Sequence, residues 1–200
     1  MLFNSLEYLI FYPIITLIYF LIPARFRWSL LLAGSLYFYM AWKPAYIILI
    51  LITSSVAYFS GLIMGKEKDH HKRKPVFLAS LLINLGILMV FKYFNLFNDT
   101  LSSVFTSLNI PYNVPGFKLL LPMGISFYTF QTLSYSIDVY RGKIEACRHY
   151  GIFTLYVTFF PQLVAGPIER AERLLPQFYT QKKFDYERIT DGLKLMAVGF

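Results

Sequence analysis

LLLPMGISFYTFQTLSYSIDVYRG, residues 119–142, is an apolar segment of membrane length with a polar stripe set into it. As a helix starting after Pro122 it brings Gly124, Tyr128, Gln131, Tyr135 and Asp138 to one face, because steps of four and three follow the helical repeat. A polar group in hydrocarbon is costly unless it meets a partner, so such a face turns toward protein or a wet cavity. Shortly after it, FFPQLVAGPIER (residues 159–170) forms a second apolar segment, interrupted by Pro161, Gly166 and Pro167. Two interrupted, polar-decorated segments this close together point to a site rather than a plain anchor.

The composition around them is that of a membrane protein. Hydrophobic residues make up 56% of the 200, aromatic residues 19% and charged residues only 15%, with mean hydropathy +0.51. A soluble domain carries roughly 25% charged residues. The net charge of +8 sits in short clusters between apolar runs, the pattern of cytoplasmic loops, and a nucleic-acid site would need a continuous basic groove instead. The single Cys147 excludes an internal disulfide and has no ligand cluster around it for a metal. The segment before the first apolar run carries Glu7 and no basic residue, unlike the n-region of a cleavable signal peptide.

The expected fold is all-α and polytopic: one multi-helix membrane domain, with spans at 6–22, 28–42, 45–64, 75–91 and 119–138. In the third span Ala57, Gly61 and Gly65 make a small-xxx-small face suited to close helix packing. KEKDHHKRK (66–74) reads as the strongest soluble loop, and 92–116 as an interfacial helix followed by a loop. Arg25, Arg27 and the basic residues of 66–74 fall on one side, which places the N-terminus outside. A full crossing at 150–168 would then put Arg170, Arg173, Lys182, Lys183 and Arg188 outside, against the positive-inside rule. A re-entrant 150–168, turned at Pro161, Gly166 and Pro167, removes the conflict; a kinked full span is the alternative. An amphipathic interfacial helix follows at 168–179, and a new apolar run from Leu193 reads as a span cut short at Phe200.

The motifs at 121–142 and 159–170, with the opening MLFNSLEYLIFY, resemble the membrane-bound O-acyltransferase family, in its bacterial alginate O-acetyltransferase-like branch, and cover its N-terminal portion. The resemblance implies a multi-helix enzyme of the bacterial inner membrane with a passage through a thin core. In it an acyl group, acetyl in this branch, moves from a cytoplasmic thioester donor (acetyl-CoA or an acyl carrier) to hydroxyls of an exported polysaccharide. The implied partners are the lipid bilayer, that polysaccharide acceptor, and a partner acetyltransferase or acyl carrier protein; no cofactor is bound. A histidine serves the family as general base, but it lies in a later segment, expected beyond Phe200. None of His70, His71 and His149 matches it, so the 200 residues alone are expected to be inactive.

The residues left to support such chemistry are Tyr128, Gln131, Tyr135, Asp138, Thr158 and Gln162 as passage-lining candidates. Arg141, Glu169 and Arg170 are candidate donor-side charges, and Pro161, Gly166 and Pro167 shape a backbone turn. Some have a plainer reading beside this one: satisfied interhelical hydrogen bonds for Gln131 and Asp138, a boundary charge pair for Asp138 with Arg141, and a surface pair for Glu169 with Arg170. A transporter or flippase with broken helices, or a non-catalytic scaffold, stays open as an alternative function.

Overall fold

The computed structural model describes residues 5–108, 111, 122–163, 166 and 169–199. Nine α-helices lie among them: α1 (Leu6–Leu21), α2 (Arg27–Met40), α3 (Ile47–Lys66), α4 (His70–Ser107), α5 (Ile125–Tyr140), α6 (Tyr150–Thr158), α7 (Phe160–Leu163), α8 (Ala171–Tyr179) and α9 (Tyr186–Gly199). Two stretches, Pro44–Lys66 and His70–Ser107, are long and apolar enough to cross a membrane.

Large apolar side chains lie on the surface as well as in the core, and small polar ones are buried beside that core. Leu17 is 64% exposed, Phe59 57% and Leu82 67%, whereas Ser35, Thr53, Ser54, Ser80, Asn84, Gln131, Thr132 and Ser136 are buried. Small hydroxyls inside let helices approach and hydrogen-bond without bulk, and apolar side chains outside suit a lipid surround. α3, α4 and α5 pack together on this basis. The Ser60 hydroxyl donates to Ser80 at 3.0 Å, Ser80 lies 3.4 Å from Ser136, and the Asn84 amide donates to the Ser80 carbonyl at 2.9 Å. The small-residue face of α3 is in use. A Cβ on Gly61 would stand 2.7 Å from the Tyr135 ring, and one on Gly65 2.7 Å from Ala146 Cβ. Ala57 is fully buried.

The second unit is α6 lying along α2. His149 and Gly151 meet Trp28 at the start of α2, and Phe160 reaches Ser35 and Phe38 near its other end. By Lys182 the chain is back at the start: Arg27 donates to the Lys182 carbonyl at 2.6 Å, and the Tyr179 hydroxyl lies 3.7 Å from Cys147 Sγ. His149 and Lys182 thus both lie beside the first residues of α2, at Trp28 and Arg27. α1 completes this side through Phe11, whose ring stacks on Tyr37 and meets Phe160 edge-on.

Three boundaries differ from the sequence expectation. The run 75–91 does not end at Phe91 but is the middle of α4, which continues to Ser107. Polar residues such as Asn95 and Asp99 do not stop a helix, and between Gly86 and Pro111 the chain has neither Gly nor Pro. The loop 66–74 is helical from His70, because Asp69 caps α4 by accepting from His71 N–H at 2.9 Å. The last helix starts at Tyr186 rather than at Leu193, with the Asp185 carboxylate accepting from Arg188 N–H.

Replacing Gly61 by Leu would drive a side chain into the Tyr135 ring. Overpacking of this kind costs about 1–3 kcal/mol, so the melting temperature of the purified protein in detergent should fall by several degrees. An unchanged melting curve would mean α3 and α5 do not need this contact.

Candidate functional site

The site is built on a broken helix. Pro161 has no N–H to continue α6, and the chain leaves helical geometry at Phe159 (φ −53°, ψ 110°). Phe160 N–H donates to Ser35 Oγ at 3.2 Å instead of continuing the helical ladder. The Tyr156 carbonyl, freed by the break, accepts from Gln131 Nε2 at 2.8 Å and from Gln162 Nε2 at 2.9 Å. Two side-chain amides from α5 and α7 thus converge on one buried backbone oxygen. After α7, Gly166 N–H returns to the Gln162 carbonyl at 3.1 Å; a Cβ on Gly166 would lie 2.5 Å from Gln162 Cα, so the turn is closed to any larger residue. Pro167 lies outside the described residues.

α5 starts at Gly124 in the left-handed region, φ +74°, a conformation that favours glycine. Here the absence of a Cβ also leaves room for the Leu163 carbonyl, 2.5 Å from where that atom would sit. The predicted stripe below it is buried: Tyr128 and Tyr135 completely, Gln131 at 4% exposure and Asp138 at 7%. Tyr135 fits the Gly61 notch, meets the Phe153 ring at 4.5 Å and accepts from Cys147 N–H at 3.0 Å through its hydroxyl. The Thr158 hydroxyl donates to the Thr154 carbonyl at 2.8 Å. Among the described residues Thr129 Oγ1, Thr154 Oγ1 and Gln162 Oε1 are buried without a hydrogen-bond partner, while the Tyr39 and Tyr128 hydroxyls pair with each other.

The charged candidates are arranged differently from the pairings their spacing suggests. Asp138 forms no ion pair with Arg141, and the only salt bridge among the described residues is Lys194–Asp191. Asp138 is turned inward while Arg141, the residue after the last turn of α5, is exposed. Glu169 contributes its backbone carbonyl, which accepts from the Tyr156 hydroxyl at 3.2 Å; Arg170 is exposed. His149 has a local structural role, since its Nδ1 accepts from Ile152 N–H at 3.2 Å and caps α6, and its ring meets Trp28. His70 is 3.3 Å from the Tyr140 hydroxyl.

Two cavities flank this core. A groove of about 1070 Å³ runs between α1, Phe159–Pro161, α8 and α9, apolar except for residues such as Lys182 and Arg188 at its border. A cleft of about 640 Å³ lies at the Lys66 end of α3, against Arg73 and the loop 142–148. Pro161 is the one site candidate that borders either of them.

The two amides on Tyr156 offer a direct test. Gln131→Leu or Gln162→Leu alone leaves the carbonyl one donor, whereas the double substitution leaves it none. An unsatisfied buried group costs about 1–3 kcal/mol, so the loss in the double variant should exceed the sum of the single losses in a denaturation series. Strict additivity would mean the two amides act independently.

No family model matches the chain, and no solved structure matches it. Curated relatives do. The probable alginate O-acetylase of Azotobacter vinelandii is 35% identical over 203 residues, covering all of this chain and 40% of that protein. That of Pseudomonas aeruginosa is 34% identical over 203 residues, covering all of this chain and 38% of that protein. The peptidoglycan O-acetyltransferase of Helicobacter pylori is 26% identical over 220 residues, 94% of this chain and 41% of that protein. The chain spans about two fifths of the length of the curated relatives it matches. With its apolar helices and this homology it is a membrane protein, homologous along its whole length to the probable alginate O-acetylases.

Proposed function

We propose that the protein takes part in O-acetylation of an exported polysaccharide, as part of a membrane enzyme that uses a cytoplasmic acetyl thioester as donor. The observation that carries this reading is the identity of about one residue in three along the whole chain to relatives described as acetylating alginate. The relative described as acting on peptidoglycan widens the acceptor class to polysaccharide hydroxyls in general. In the reaction an acceptor hydroxyl oxygen attacks the thioester carbonyl, the carbon–sulfur bond breaks, and the hydroxyl proton leaves through a general base to the departing thiolate. That base, a histidine in the family, belongs to the length of the relatives that this chain does not span.

The described residues would supply the support. Buried atoms such as Thr154 Oγ1 and Gln162 Oε1, left without protein partners, favour a polar passage beside the α6–α7 break, with Tyr128, Tyr135, Gln131, Asp138 and Thr158 in its wall. Arg141, Glu169 and Arg170 would lie toward the donor. Three observations support a re-entrant 150–168. The helix breaks at Phe159, α6 climbs along α2 only as far as Ser35 and Phe38, and Lys182 returns to Arg27. The proposed orientation has the N-terminus outside and the Arg27 end of α2 in the cytoplasm of a bacterial cell, at the inner membrane. An acyl carrier protein or a second acetyltransferase would complete the system.

Deleting the encoding gene should lower the O-acetyl content of the surface polysaccharide, measured after mild alkaline release. Unchanged acetyl content would remove the assignment. A cysteine introduced by Lys183→Cys should resist impermeant maleimide in intact cells and react once the membrane is opened. Labelling from outside would overturn the re-entrant segment.

A further inference from the structure

The cleft at the Lys66 end of α3 is lined by none of the residues assigned above to acyl transfer. Its lining brings together Lys66 from the last turn of α3, Arg73 near the start of α4, and Lys143 and Arg148 from the loop after α5, with Glu145 the one acid among the lining residues. No carboxylate lies within 4 Å of any of these four cations among the described residues. The neighbouring Glu67 carboxylate accepts from Asp69 N–H at 3.0 Å, and this bond, with Lys72 and Arg73 nearby, lowers its pKa.

Four like charges around one concavity repel each other, and a loop free to move would spread them into solvent. This loop is tied down. Gly142 N–H donates to the Val139 carbonyl and Lys143 N–H to the Asp138 carbonyl at 2.9 Å, closing its start on α5. At its far end Cys147 N–H donates to Tyr135 Oη, and the Tyr58 hydroxyl donates to the Arg148 carbonyl at 2.7 Å. Between them Ala146 packs on Gly65. Arg73 Nε donates to the Glu67 carbonyl, which holds that guanidinium at the wall. Backbone tethers therefore hold the loop that carries Lys143 and Arg148 against the ends of α3 and α4, and the carboxylates Glu67 and Glu145 offset the four cations only in part.

We propose that this cleft binds a phosphate group carried on an amphiphile. The net positive lining and the guanidinium forks suit phosphate oxygens, and the volume of about 640 Å³ is that of a small-molecule site. Apolar lining from Leu62, Val139 and Ile144 would flank the less polar part of the ligand. Two sources share this chemistry: the phosphates of a nucleotide-bearing thioester donor, which rests on the function proposed above, and the headgroup of an anionic phospholipid, which does not.

The test uses the full-length protein in neutral detergent, titrated with inorganic pyrophosphate, coenzyme A and short-chain phosphatidylglycerol. The double variant Lys66→Gln/Arg148→Gln is compared with Arg25→Gln/Lys92→Gln, which removes the same charge elsewhere. Loss of two charge-assisted contacts should weaken pyrophosphate binding about tenfold or more in the first variant and leave the second near wild type. A parallel loss for coenzyme A identifies the donor. A parallel loss for phosphatidylglycerol alone identifies a lipid site, and leaves the site standing even if acetylation fails. The proposal is overturned if the wild type binds none of the three, or if the two variants lose affinity equally.

Discussion

One backbone carbonyl with no helical partner organises the centre of this protein. Once Pro161 ends α6, the Tyr156 oxygen and the Phe160 N–H must be satisfied at buried depth, where an orphaned peptide group is costly. The Phe160 N–H is met by Ser35 of α2, and the Tyr156 oxygen by Gln131 of α5 and Gln162 of α7. Those bonds in turn fix how α2, α5 and α6 sit against each other. A continuous helix would need none of them. The break is thus a fold-defining element before it is anything functional.

The three-helix unit of α3, α4 and α5 obeys a different constraint. Beside the hydrophobic residues these helices bury, its interior is drawn together by close approach and short hydroxyl bonds: Gly61 against Tyr135, and Ser60, Ser80 and Ser136 in a row. Tyr135 joins the two units, since its ring lies in the Gly61 notch and on Phe153 while its hydroxyl receives Cys147 N–H. The loop that carries Lys143 and Arg148 is held in place by the same residue that seats α5 on α3.

Much of this is legible in the sequence where a local rule carries the information. The steps of four and three in 119–142 and the small residues of α3 name buried faces directly. The prolines and glycine of 159–170 name a break. What those faces touch is not legible. Gln131 and Gln162 look like partners for other side chains, yet both serve a backbone oxygen, and nothing in residue identity announces an orphaned carbonyl. Asp138 and Arg141 have the spacing of an ion pair, but one is turned in and the other lies past the end of its helix. Polarity at Asn95 and Asp99 looks like a boundary; it marks a change of surroundings along a helix that continues. His149 can be assigned its capping and ring contacts only once the fold has brought Trp28 beside it.

The helices of this protein also differ in reach. At 1.5 Å per residue α4 is about 57 Å long and α2 about 21 Å, against a hydrocarbon slab of about 30 Å. A bilayer touching both cannot be matched to both. If α2 meets lipid as a short crossing, the bilayer there has to thin or the helix has to extend through its flanks, as around any short apolar element. On the proposed re-entrant reading, the dry distance is smallest beside the helix along which residues 150–168 would turn back. On that reading the protein would set the local thickness of its own solvent, and a polar group near the α6–α7 break would face a lower barrier than in the surrounding membrane.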